Sequence, residues 1–236
     1  MEAKQGNKLY EGKAKIVYET DNPDLFIQHF KDDATAFDGK KKGTIGDKGV
    51  CNNKISSALF TMLAEQGIPN HFVKMLSDRD MLVKKLQILP LEVIVRNIAA
   101  GSLTARLGIP EGQDLPHPIL EYCYKNDSLH DPQINKYHAL AMNLATEEQM
   151  ALVDKYSFKI NEILKKFFAE KGLLLVDFKL EFGVHKGEVI LGDEISPDTC
   201  RFWDAVTREK LDKDRFRRDL GNVEEAYQEI LKRVSK

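Results

Sequence analysis

The order of apolar and polar positions divides the chain into stretches of period two and stretches of period 3.6. Period two is clearest between Leu173 and Trp203. The apolar run Leu173-Leu174-Leu175-Val176 reads as a buried strand. Strict alternation follows, with Asp177, Lys179 and Glu181 on one face and Phe178, Leu180 and Phe182 on the other. Gly183 and Gly187 bracket a predicted turn, and Glu188 to Ile195 forms a second strand that brings in Asp193 and Glu194. Lys8 to Phe30 reads as strand, turn, strand, strand, with Gly12 between two β-favouring runs and Lys13 and Lys15 on one face. Met81–Leu86 and Leu91–Val95 are also β-favouring, and Pro90 between them suits a turn.

Helical spacing appears in three long stretches. Asn52 to Gln66 carries Ile55, Leu59, Met62 and Leu63 on one face and stops at Gly67. Thr146 to Lys171 opens with a capping box, Thr146 with Gln149, and has an apolar stripe of Leu152, Tyr156, Ile160, Ile163, Leu164 and Phe167. Val223 to Val234 is a last helix. After the run Arg96–Leu103 a helix is predicted to run on to Leu107, before Gly108. Two segments read as long loops: Lys31 to Gly49, which holds Asp38, and the proline-rich Pro110 to Asn135, which holds Lys125, Asp127 and His130. No linker separates these elements, so two lobes folded against each other are expected, with a crude boundary between Lys85 and Val95.

Composition changes this picture little. Apolar residues make up 42%, charged residues 31%, and the formal net charge is −2, so no electrostatic case exists for a nucleic-acid partner. No apolar run approaches the roughly 20 residues that cross a bilayer, and the N-terminus lacks a signal-peptide core. Cys51, Cys123 and Cys200 have no metal-like spacing, which fits a reduced, cytoplasmic protein.

Charge is where the chemistry lies. Alternating charges on a strand are most often the wet face of a half-buried sheet. Here Asp177 follows four apolar residues, so the strand starts in the interior and its charged face is a candidate site. Whether Asp193 joins Glu181 depends on the turn: an odd-length loop brings them together and an even-length loop sends Asp193 to the other side. If they meet, two carboxylates suffice for Mg²⁺ with phosphate oxygens, and Lys179 can neutralise charge on a transferring group. Glu194, of opposite parity, is expected to be exposed. Arg96, just before Ala99-Ala100-Gly101-Ser102, can hold an anion with the Ser102 hydroxyl, or can lie at the surface over a closely packed turn. Cys200 has no accompanying histidine and is a poor nucleophile candidate. The chain has no Ser-His-Asp, Walker or dinucleotide glycine signature.

Taken in order, the motifs resemble one family, the phosphoribosylaminoimidazole-succinocarboxamide synthases, or SAICAR synthetases. The likeness is carried by Leu9-Tyr10-Glu11-Gly12-Lys13-Ala14-Lys15, Thr35-Ala36-Phe37-Asp38-Gly39, Val95-Arg96-Asn97 with Ala99-Ala100-Gly101-Ser102-Leu103, Lys125-Asn126-Asp127 with His130-Asp131-Pro132, Val176-Asp177-Phe178-Lys179-Leu180-Glu181-Phe182-Gly183, Gly192-Asp193-Glu194 with Ser196-Pro197-Asp198 and Arg201, and Asp212-Lys213-Asp214-Arg215-Phe216-Arg217. The resemblance implies an α+β fold of the ATP-grasp or kinase-like kind, with antiparallel sheets and flanking helices. Residues 1–86 would form a β-rich ATP-binding lobe and residues 87–236 an α+β lobe carrying the metal and ribonucleotide sites, with ATP in the cleft between them.

It also implies an activity, an ATP-dependent ligase of purine biosynthesis. Such an enzyme joins carboxyaminoimidazole ribonucleotide (CAIR) to L-aspartate, giving SAICAR, ADP and phosphate. A carboxylate is a poor electrophile, so ATP must first convert it to an acyl phosphate, a step that needs positioning and charge neutralisation more than a protein nucleophile. By the resemblance, Lys13, Lys15 and Lys125 contact ATP phosphates and Lys84 and Leu86 lie by the base. Glu181 and Asp193 bind Mg²⁺; Arg96, Ser102 and Arg201 hold the ribonucleotide; Asp177 and Lys179 stand at the reacting carboxylate. Asp38 and Asp198 are candidates near the substrates, and a homodimer is expected. Three rivals use similar parts: a small-molecule kinase, a metal-dependent nuclease built on Asp177-Phe178-Lys179, and a nucleotide-binding regulator. ADP release that requires aspartate separates the ligase from the kinase.

Overall fold

The computed structural model describes residues 3–36 and 40–236. The N-terminal period-two runs become β1 (Gln5–Glu11), β2 (Lys15–Thr20) and β3 (Leu25–Phe30), followed by a short pair, β4 (Asp33–Ala36) and β5 (Lys41–Thr44). Helix α1 (Lys48–Glu65) precedes β6 (Phe72–Met75), β7 (Asp80–Lys84) and the long β8 (Gln87–Ile98). Next come α2 (Ser102–Leu107), β9 (Asp114–Tyr124), β10 (Gln133–Ile134), α3 (Lys136–Ala141), α4 (Glu147–Glu170) and β11 (Leu173–His185). The chain finishes with β12 (Glu188–Leu191), β13 (Cys200–Asp204), α5 (Asp214–Arg217) and α6 (Val223–Val234).

Two antiparallel sheets result. The first runs β1-β2-β3-β7-β6, and the second runs β10-β9-β8-β11-β12, with β13 also paired to β11. The chain crosses from one to the other at residues 85–86. The main apolar cluster lies against the second sheet, with Ile55, Leu59 and Phe60 of α1, Leu164 and Phe168 of α4, Phe178, Leu180 and Phe182 of β11, and Tyr227 and Ile230 of α6; the first sheet buries a smaller cluster of its own, Phe30, Met81 and Val83, and Phe72 of β6 packs against both. Helix α4 begins as its sequence dictates. Gln149 N donates to Thr146 Oγ1 at 3.2 Å and Thr146 N donates to Gln149 Oε1 at 2.9 Å, so two otherwise orphaned amides are satisfied.

Four expectations change. The stretch Lys31–Gly49 is not a long loop: β4 and β5 pair within it and α1 begins in it. Residues 110–135 are not mainly loop: β9 occupies much of them, and its Pro116 and Pro118 lie outside the stretch that pairs with β10, which reaches only Tyr122 and Cys123. On that open edge a missing N–H breaks no ladder. Pro90 sits inside β8, where pairing with β11 skips from Glu181↔Glu92 to Gly183↔Ile88. Helix α1 starts at Lys48, earlier than Asn52, because Gly49 lets the first turn press against β3: a Cβ there would stand 2.4 Å from the Phe30 carbonyl oxygen.

Strand β11, the centre of the second sheet, carries an irregularity. Its pairing with β13 shifts between Leu175 and Asp177. Leu173 and Leu175 face the main core, and so do Phe178, Leu180 and Phe182, whose parity is opposite. Val176 instead packs with Ile98, Ala100 and Trp203. A bulge thus switches the strand's parity at the point where its charged residues begin.

Candidate active site

Between the two sheets lies a cleft of about 1510 Å³. Val17, Phe26, Val83, Leu86 and Ile88 give it an apolar side, and Lys13, Lys15, Lys125, Lys179, Glu181 and Asp193 a charged one. The apolar side depends on glycine at two places. A Cβ on Gly183 would stand 2.8 Å from Leu86 Cβ, and one on Gly192 would stand 2.7 Å from Leu86 Cδ1, so only glycine lets the 85–86 crossing lie against β11. Lys84 lines the same wall and donates from Nζ to the Asn70 carbonyl at 3.1 Å. His71 also lines the cleft; burial, then the nearby Lys15, push its pKa down to about 3, so it is neutral at physiological pH.

The charged side is a chain of alternating signs. Lys179 Nζ lies 2.6 Å from Glu181 Oε1, 3.1 Å from Glu92 Oε1 and 3.3 Å from Asp193 Oδ2. Lys125 pairs with the other Glu181 oxygen, and Lys15 pairs with Asp193 and reaches Glu194 Oε1 at 3.3 Å. Burial opposes the charge on Asp193, but Lys15, Lys179 and Lys125 outweigh it and hold its carboxyl well below the usual range. Burial likewise opposes the charge on Lys179, and Glu181, Asp193 and Glu92 raise its pKa well above normal. Lys13, in the turn between β1 and β2, reaches Asp127 Oδ1 at 3.2 Å on the opposite side of the cleft.

Asp193 reaches this group by an unexpected route. The β11–β12 turn is Lys186-Gly187, both in the left-handed region (φ 50° and 88°), closed by the pair His185↔Glu188. Gly183 is therefore inside β11. A two-residue loop is even, and continued pairing would have sent Asp193 to the core face. Instead β12 stops at Leu191, Gly192 N donates to the Glu181 carbonyl at 2.9 Å, and Asp193 takes φ 56°. That turn brings its carboxylate to Lys15 and Lys179. Glu194, expected to be exposed, is 3% exposed and accepts from Ser196 Oγ at 2.8 Å; the end of β12 carries it inward with Asp193.

A second cluster adjoins the first along β11, outside the residues that line the cleft. Register places Asp177 opposite Arg96 on β8 and Arg201 on β13. Its Oδ2 accepts from Arg96 Nη1 at 2.8 Å, and both its oxygens accept from Arg201 Nη1 at 2.9 Å. Arg96 also donates to Glu121 at 2.8 Å and to the Ser102 hydroxyl at 3.0 Å, and Arg201 Nε donates to Asp214 at 3.0 Å. Arg201 Nη2 lies against Gly101, where a Cβ would stand 2.6 Å away, and makes no hydrogen bond to the described residues. The sequence motifs thus assemble into two adjoining groups. Asp38 lies outside the described residues.

Asp198 lines the cleft, and its support was invisible in the sequence. Lys48, fully buried, donates to its Oδ2 at 2.7 Å, and the Tyr227 hydroxyl donates to its Oδ1 at 2.6 Å. Lys48 and Tyr227 come from α1 and α6, and no local pattern marks either. Burial raises the Cys200 thiol pKa well above normal, so that residue is no nucleophile.

Among the described residues no three metal-ligating side chains cluster. Two carboxylates, Glu181 and Asp193, share Lys179. Hard oxygen donors in that number suit Mg²⁺ when phosphate oxygens complete its shell, and suit Zn²⁺ poorly.

Comparison with known proteins agrees with this arrangement. Residues 8–234 match the SAICAR synthetase family. The chain is 62% identical over 226 residues to the phosphoribosylaminoimidazole-succinocarboxamide synthase of Caldanaerobacter subterraneus subsp. tengcongensis and 65% identical over 226 residues to that of Chlorobaculum tepidum, covering 96% of both chains in each case. Among solved structures, the Ehrlichia chaffeensis enzyme superposes with a TM-score of 0.95 at 47% identity, covering 97% of this chain and 98% of that one. A SAICAR synthetase solved in complex with ADP superposes with a TM-score of 0.93 at 52% identity, covering 95% and 96%. With nearly the whole length matched, the chain belongs to the SAICAR synthetase family.

Proposed function

We infer that the chain carries out its family's reaction, the ATP-dependent joining of CAIR to L-aspartate to give SAICAR, ADP and phosphate. The observation that carries this reading is the run of alternating lysines and carboxylates in the inter-sheet cleft, set beside the Asp177–Arg96–Arg201 cluster. A cleft that binds a polyphosphate needs cations already charged and carboxylates able to share a metal, and this one has both.

The roles are those the family motifs imply, and the placement of the side chains supports them. Lys13, Lys15 and Lys125 meet the ATP phosphates, exchanging their protein carboxylates for phosphate oxygens, while Leu86, Val17 and Val83 bracket the base beside Lys84. Glu181 and Asp193 hold Mg²⁺, which when bound neutralises phosphate charge. Arg96, Ser102 and Arg201 hold the ribonucleotide phosphate; Arg201 Nη2 has its donors to spare. Lys179 stands where the CAIR carboxylate attacks the γ-phosphorus, and its charge stabilises the acyl phosphate and the departing phosphate. Aspartate nitrogen then attacks the activated carbonyl, a C–N bond forms, the C–O bond to phosphate breaks, and the amine loses a proton. For Asp177, the pairing with both arginines favours positioning them over direct chemistry. The reading includes a cytoplasmic homodimer, which sedimentation would test; among the described residues no helix is long and apolar enough to cross a membrane.

The test is a coupled assay with ATP, Mg²⁺ and CAIR, with and without aspartate. ADP release that depends on aspartate is expected. Equal release without it would place the chain among kinases or ATPases.

A further inference from the structure

One polar pair is buried where the packing around it is apolar. Along β8, Leu91, Val93 and Val95 belong to the main cluster, and alternation makes Asn97 the next residue on that face. There it meets Asn161 of α4, whose neighbours Ile160 and Leu164 belong to the same cluster. Asn97 Nδ2 donates to Asn161 Oδ1 at 2.8 Å, and Asn161 Nδ2 donates back to Asn97 Oδ1 at 3.0 Å. Both side chains are buried, so each amide depends on the other for its partners. The second hydrogen on Asn97 Nδ2 goes to the Leu175 carbonyl at 3.1 Å.

That carbonyl stands at the β11 bulge. The β8–β11 ladder runs back to Asp177↔Arg96 and stops, and the β13 register shifts between Leu175 and Asp177. Beyond the ladder's end the Asn97 side chain takes the place of a backbone donor. The bulge decides which way Asp177 points. Unbroken alternation would put Asp177 on the face of Leu173 and Leu175, inside the apolar cluster. Because Val176 is turned to Ile98, Ala100 and Trp203, Phe178 takes the core face and Asp177 lies between Arg96 and Arg201.

We propose that Asn161 is a positioning residue for the ribonucleotide's anion: through Asn97 it holds the bulge that sets Asp177 between the two arginines. The proposal rests on the ligase reading and on its assignment of Arg96 and Arg201. Asn161 lies on a different element from the arginines, in none of the motifs that carry the family likeness, and touches neither of them. Without it, Asn97 Oδ1 has no donor and its amide can turn, so the Leu175 carbonyl loses a fixed partner. The amide pair is neutral, so its effect on the arginines is one of geometry and not of charge.

The experiment is steady-state kinetics of Asn161→Ala, with CAIR and ATP varied in turn, alongside the emission of Trp203. That residue is the chain's one tryptophan and packs with Val176 of the bulge. Ile160→Val, which trims a buried side chain on the same helix without touching the amide pair, is the control for lost packing. The proposal predicts that KM for CAIR rises about tenfold or more in Asn161→Ala while KM for ATP stays within about twofold, a selective loss of the size that a small misplacement of binding groups causes. Trp203 emission should shift to longer wavelength, and Ile160→Val should leave both constants and the emission unchanged. An unchanged KM for CAIR, an equal rise for both substrates, or the same selective rise in Ile160→Val would overturn the assignment. A selective rise with unaltered Trp203 emission would overturn the route through the bulge. If Asn161→Ala is too poorly folded to assay, Asn161→Leu, which fills the space but cannot bond Asn97, decides by the same readings. A parent protein that released ADP equally without aspartate would instead remove the ligase reading, and this role with it.

Discussion

Asp193 shows how much one residue's backbone can decide. Its carboxylate reaches Lys15 and Lys179 because the residue itself adopts φ 56°, a conformation that Asp and Asn accept more readily than other side chains. Asp193→Asn therefore keeps the turn while removing the charge, and Glu181→Gln does the same within β11. Each variant should lose on the order of 100-fold in kcat, the scale of losing one electrostatic contact to a developing charge, while far-UV circular dichroism stays that of the parent and the melting temperature falls, because cleft lysines lose a partner carboxylate. Near-normal rates in both would refute the metal assignment. Asp212 offers a different test. Burial, with Asp214 beside it, pushes its carboxyl up to about 7. The folded chain thus holds that proton more tightly than the unfolded chain does. The resulting stabilisation is complete below the ordinary value of 3.8 and is lost as pH rises through about 7. The melting temperature of the parent relative to Asp212→Asn should fall between pH 4 and pH 7; a constant difference would show that Asp212 is ionised throughout. The charged face of Asp177, Lys179 and Glu181 was legible because alternation alone specifies it. Glu194 was not, since parity places it correctly only if β12 continues, and it ends at Leu191.

At the scale of elements, β11 does most to place the site. Its register sets Asp177 between Arg96 and Arg201. Its bulge lets an apolar start facing one core continue as a strand whose next apolar residues face that same core with opposite parity. Bulges leave no mark in a hydrophobic pattern, so Val176 looked like part of a uniform buried run. Two helix ends were better encoded: the Thr146 capping box and Gly108 after α2 follow local chemistry that needs no distant partner. β9 was missed because prolines argue against strands, and only its half-paired edge makes them harmless. The close passage of Leu86 over Gly183 gives this scale its prediction. Gly183→Ala forces a Cβ to within 2.8 Å of Leu86 Cβ and 2.9 Å of the Gln87 carbonyl oxygen. Because backbone cannot yield as a side-chain tip can, the variant should lose about 1–3 kcal/mol of stability and raise KM for ATP. Denaturant unfolding and nucleotide titration would check both, and an unchanged midpoint would mean that the crossing is slack.

For the whole molecule, function depends on two sheets facing each other across a cleft, each with its own apolar cluster and with Phe72 packed against both. Cations come from both sides: Lys13 and Lys15 from the first sheet's hairpin, Lys125 and Lys179 from the second. The sequence order of motifs, read against a known family, was enough to anticipate this cleft. Contacts between remote elements, such as Lys48 and Tyr227 on Asp198, were beyond it because nothing local pairs α1 with α6. The account's central claim is that the cleft activates a carboxylate by phosphorylating it. CAIR labelled with ¹⁸O in that carboxylate tests it most directly. If an acyl phosphate forms and aspartate displaces phosphate from it, each turnover transfers one carboxylate oxygen to the inorganic phosphate released, which mass spectrometry would detect as labelled phosphate. Unlabelled phosphate accompanying labelled SAICAR would show that ATP is cleaved without activating the carboxylate, and would contradict the account.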